Sequence, residues 1–71
     1  MQSYLFVFGD DARARTFVHR LVSELRDIAI FVQNEHVHVI DGAWRNQRER
    51  ILQLSRSSNA HQAIVRPEEI P

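Results

Sequence analysis

"IAIFVQNEHVHVI", residues 28–40, decides the fold. Two runs rich in branched side chains flank Asn34-Glu35, and in an extended chain residues i and i+2 share a face. A two-residue loop opposes Gln33 with His36, Val32 with Val37, Phe31 with His38, Ile30 with Val39, and Ala29 with Ile40. Asn34 suits the positive φ of such a turn, whereas Glu35 is a poor second turn residue. One face of this hairpin then carries Ile28, Ile30, Val32, Val37 and Val39, an aliphatic set that reads as the main core. The other carries Ala29, Phe31, Gln33, His36, His38 and Ile40.

Working outward, "SYLFVF" (residues 3–8) is aromatic and branched and stops at Gly9, so it reads as a strand, and its unbroken apolar run reads as a central one. Asp10 or Asp11 can accept the orphan N–H groups of a following helix. Ala14, Phe17, Val18, Leu21, Val22 and Leu25 recur at spacings of three and four, which makes one apolar stripe. Arg20 and Glu24 are spaced for an i,i+4 pair on its flank. Beyond the hairpin, Asp41 is placed to cap a second helix through about Arg56, with Trp44, Ile51, Leu52 and Leu54 as a looser stripe and Arg45–Glu49 as a second i,i+4 pair. "RSSNA" reads as its exit and "HQAIVR" as a last short strand. Residues 1–66 thus form one domain, and 67–71 a short tail in which Pro67 and Pro71 forbid regular continuation.

The expected order is strand, helix, strand, strand, helix, strand. With right-handed connections this gives an α+β fold, a single four-stranded antiparallel sheet with both helices on one face. The order resembles the ferredoxin-like split βαβ arrangement over nearly the whole chain. That resemblance implies a first and third strand at the centre, a second and fourth at the edges, and a sheet face left open. It implies no activity, because the arrangement hosts many unrelated ones. The first strand offers the open face either Tyr4, Phe6 and Phe8 or the smaller Leu5 and Val7. In neither case does that face read as a normal solvated surface.

Composition narrows the function classes. At 71 residues folding buries only roughly 60% of the unfolded chain's surface, and without cysteine there is no disulfide or thiolate–zinc support. Self-association is the expected remedy. Nine basic and nine acidic residues cancel, so the chain lacks the bulk positive field of a dedicated DNA binder or a polybasic membrane peptide. Every basic residue is arginine, as the codon bias of a GC-rich bacterial genome would produce. "YLFVF" is far too short for a secretory segment or membrane span, so a cytoplasmic protein with no membrane contact is expected.

The candidate sites follow from the open face. His36-x-His38 could offer two imidazoles to one metal, but Glu35 and Asp41 have the parity of the valine face, and no third ligand with its own support is evident. No metal and no cofactor are expected. Ser55, Ser57 and Ser58 lack a glycine elbow, and Gly9 and Gly42 make no phosphate loop. His19 could line a pocket between helix and sheet, but it neighbours the apolar stripe as a boundary residue would, so no catalytic residues are assigned. "LFVFGD" is similar to the first of the two short motifs of the RNA-recognition fold, which would make Phe6 a base-stacking residue. "EHVHVIDG" departs from the second, having no Arg/Lys-Gly-aromatic start. The expectation is a non-enzymatic module that forms a homodimer through Tyr4, Phe6, Phe8, Phe31, Gln33, His36, His38 and Ile40 and binds another macromolecule, a protein before a single-stranded nucleic acid. Arg45, Arg48 and Arg56 form a candidate basic flank.

Overall fold

The computed structural model describes residues 2–42 and 47–67. Its elements run β1 (Gln2–Val7), α1 (Asp11–Glu24), β2 (Ile28–Gln33), β3 (His36–Asp41), α2 (Arg48–Ser57) and β4 (Gln62–Pro67). The four strands make one antiparallel sheet in the order β2-β3-β1-β4, so the architecture is α+β with the expected element order.

The hairpin forms in the expected register, from Gln33 opposite His36 to Ala29 opposite Ile40, and gains one more pair, Ile28 with Asp41. Asn34 takes the left-handed conformation at φ 54°, which asparagine tolerates better than most residues. β1 docks on β3 with Leu5 opposite His38 and Phe6 opposite Val37, and on β4 with Leu5 opposite Ile64. The Phe8 N–H carries the β1–β3 ladder one step further by donating to the Glu35 carbonyl at 2.9 Å.

One face of the sheet is buried under both helices. Tyr4, Phe6, Phe8, Val37 and Val39 join Ala14, Phe17 and Leu21 of α1 and Ile51 and Leu54 of α2 in a single core. The expectation that Tyr4, Phe6 and Phe8 line the open face is therefore corrected, and Leu5 and Val7 take that side. Volume is the reason: two helices held off a small sheet leave a gap that rings fill and smaller aliphatics do not. Phe17 completes the filling, edge-on to Phe6 at 4.9 Å between centroids and tilted against Phe8 at 5.2 Å. Val32 departs from the aliphatic core set, because it lies at the free edge and remains 49% exposed; Ile28 and Ile30 are half-buried.

Caps and charges also sort differently from their local spacing. Asp10 does cap α1, its carboxylate accepting from the Arg13 N–H at 2.8 Å. α2 starts later than Asp41 alone would set it, with Gln47 at the N-cap and no side-chain cap bond from that residue. Asp41 instead reaches forward from the end of β3, accepting from the Gln47 backbone N–H and from its Nε2, both at 3.2 Å. Arg20 does not pair with Glu24. It donates to the Ser57 hydroxyl at 2.8 Å, while Glu24 pairs with Arg50, so both side chains tie α1 to α2. Both helices pack on the sheet side by side, and a partner across the groove competes well with one along the same helix. Trp44 and Arg45 lie outside the described residues. Among the described residues no helix is long and apolar enough to cross a membrane.

Candidate binding face

The registers fix what the sheet presents away from its helices. One row crosses all four strands as Phe31, His38, Leu5 and Ile64. Beside it runs a second row of Gln33, His36, Val7 and Gln62, and on the other side Ala29, Ile40 and Ser3, of which Ser3 is buried. The central row is apolar apart from one imidazole. Phe31 is 58% exposed, and its ring lies 6.2 Å from the His38 ring at 45°. A shallow depression of about 510 Å³ opens here, lined by Leu5, Phe31, Val32, Gln33, His36 and His38.

Parity brings Phe31, Gln33, His36, His38 and Ile40 to this face as the sequence implies, and Leu5, Val7 and Ile64 join them. Ile64 is the residue that sequence reasoning passed over, since a short last strand of unknown partner gives no register. Its alternation with Ala63 and its distance from Pro67 were the available signals.

The histidines are separated from other ligating groups. His36 and His38 share the face, whereas Asp41 lies on the helix side, buried and bonded to Gln47. His61 precedes β4 and lays its ring over Gly9, so that a Cβ there would come within 2.9 Å of the His61 Cε1. Among the described residues no three His, Asp or Glu side chains converge as a metal site. His19 is exposed on α1.

At the other end of the sheet the buried Tyr4 hydroxyl is held above its ordinary pKa, first by burial and then by the Asp41 carboxylate, with Arg48 opposing. Asp41 anchors the start of α2 through Gln47, and Gln47 carries the link on to the Arg26 carbonyl at 3.0 Å. On α2 itself, Arg48 and Arg56 border one groove of about 680 Å³ with Glu49, Leu52 and Gln53. Two of the three candidate basic residues therefore share a surface, with a carboxylate among them.

Compared with protein-family models, with curated proteins and with solved structures, the chain matches none.

Proposed function

We propose that the chain is a small non-enzymatic module that pairs with a second copy of itself through the open sheet face and acts by binding another macromolecule, a protein in the first instance. The element order and the strand order β2-β3-β1-β4 support a ferredoxin-like arrangement. The observation that carries the functional reading is the row Phe31–His38–Leu5–Ile64. A solvated antiparallel face alternates to hydroxyl and charged side chains, and this row has three large apolar members and no fixed charge. Covering such side chains gains roughly 1.5–3 kcal/mol for each one fully buried, a gain that counts in a domain of this size. His36, Gln33 and Gln62 flank the row as hydrogen-bonding groups, the arrangement of a polar rim about an apolar centre.

Sedimentation equilibrium of the wild-type chain and of Leu5→Lys tests this. Association at micromolar concentration, weakened by Leu5→Lys with the fold intact, supports the reading. A wild-type monomer at high micromolar concentration overturns it.

A second reading, a single-stranded nucleic-acid module, rests on the exposed Phe31 ring beside His38 as a stacking surface. It loses the first-strand aromatics, which are in the core. Salt-dependent oligonucleotide binding that Phe31→Ala weakens by about 1–3 kcal/mol is its signature.

A further inference from the structure

The free edge of β2 has a chemistry of its own. The bond from Phe8 N–H to Glu35 C=O shows that odd-numbered residues of β3 turn their peptide groups toward β1. Even-numbered β3 residues therefore face β2, where their partners are Ala29, Phe31 and Gln33. By alternation, the N–H and C=O groups of Ile28, Ile30 and Val32 point outward, with no strand beyond them among the described residues.

Edges of this kind are ordinarily protected by a charge, a proline, a bulge or a covering segment. β2 reads Ile-Ala-Ile-Phe-Val-Gln, without charge or proline, and pairs with β3 without a bulge. The opposite edge, β4, ends in Arg66 and Pro67. Among the described residues the exposed large hydrophobic side chains are Val22, Phe31 and Val32. Phe31 and Val32 belong to the strand. Val22 lies on the flank of α1 that faces the same way, because Arg15, two helical turns earlier, lines a hollow with Val32.

From this we infer that the β2 edge is a second contact between copies of this chain, antiparallel about a two-fold axis, which makes one continuous sheet of two domains. The outward residues are self-complementary: with Ile30 opposite the partner copy's Ile30, Ile28 meets Val32 and Val32 meets Ile28, and all three outward peptide groups find partners. No other register with the helices on one side pairs all three. The helix layer fits as well. Two helices over four strands repeat about every 10 Å, since strands lie about 4.8 Å apart and helices pack at about 8–10 Å. The α1 helices of two copies thus adjoin at the seam, with Val22 between them. They run antiparallel, so the Asp11 end of one lies beside the Glu24 end of the other. The contact goes beyond the open-face reading and does not depend on it.

Amide hydrogen exchange followed by NMR tests the edge directly, on the wild-type chain, Val32→Lys and Leu5→Lys. At high concentration the wild-type Ile30 and Val32 amides are expected to be protected about tenfold or more over dilute protein, with paired amides in the core strands as the fold control. Val32→Lys should abolish that protection, whereas Leu5→Lys, on the open face, should retain it. Ile30 and Val32 amides that exchange freely at every concentration would overturn the inference, whether or not the chain associates. Loss of their protection in Leu5→Lys, with core amides still protected, would also overturn it, because the edge would then have no contact of its own.

Discussion

Phe6 of β1 meets Phe17 of α1 edge to face, with ring centroids 4.9 Å apart and planes inclined at 72°. Both side chains are fully buried, so this pair fastens the central strand to the first helix. Phe6→Ala is expected to cost about 3–5 kcal/mol, enough to unfold much of a domain this small, and Phe6→Leu distinctly less. Denaturant unfolding of the two variants measures the difference. A folded Phe6→Ala chain of near wild-type stability would remove Phe6 from the core.

Ser58, at the end of α2, is buried and its hydroxyl has no hydrogen-bond partner among the described residues. An unmet buried polar group costs about 1–3 kcal/mol. Ser58→Ala should therefore stabilise the fold, raising the denaturant midpoint with an unchanged slope. A lowered midpoint would show that the hydroxyl has a stabilising partner.

Tyr4 is the one tyrosine, and there is no lysine or cysteine, so it is the side chain that governs moderately alkaline behaviour. Its pKa is raised in the folded state. Below the unfolded value, about 10, both states keep the proton and the stability is fully present. As pH rises toward the folded value the unfolded chain ionises first, and stability falls. Tyr4→Phe should flatten that decline. Thermal unfolding against pH checks it, and an equal slope in both proteins would deny Tyr4 the role.

His36 and His38 lie on the open face beside Gln33 and Phe31, with Leu5 and Val7 opposite on β1. If two copies meet there, four of these side chains gather, and fixed positive charge at their positions should weaken association, because like charges brought together across a contact are costly. His36→Lys/His38→Lys is expected to lose association, whereas His36→Gln/His38→Gln should show little change; sedimentation equilibrium measures both. Unchanged association of the lysine variant would take the histidines out of the contact.

The hairpin was legible because its two strands alternate and a two-residue loop leaves one register that buries Val37 and Val39. β1 was not, because both of its faces are apolar. Only the height of the gap under α1 selects Tyr4, Phe6 and Phe8 over Leu5 and Val7, and that height is a property of the assembled layers. The ties between helices were hidden for a related reason: Glu24 and Arg50 are 26 positions apart, and Arg20 and Ser57 are 37. Local spacing favours partners one turn away and cannot see a neighbouring helix. Asp41 was recognised as a cap by type, while its reach of six residues to Gln47 depends on how the chain turns out of β3.

The strand order sets a timetable for synthesis. β1 is made first, yet both of its neighbours, β3 and β4, lie later in the chain. The hairpin of β2 and β3 is local and can close within microseconds, but β1 has no partner strand until β3 has been made, and only one until β4 follows. Through that interval an uncharged run from Tyr4 to Phe8 stands without its full sheet, and the same rings that later fill the core are the segment most prone to stick to another nascent chain. Slow elongation through α2 would lengthen the exposure, and a binding partner or chaperone that shields β1 would shorten its consequences.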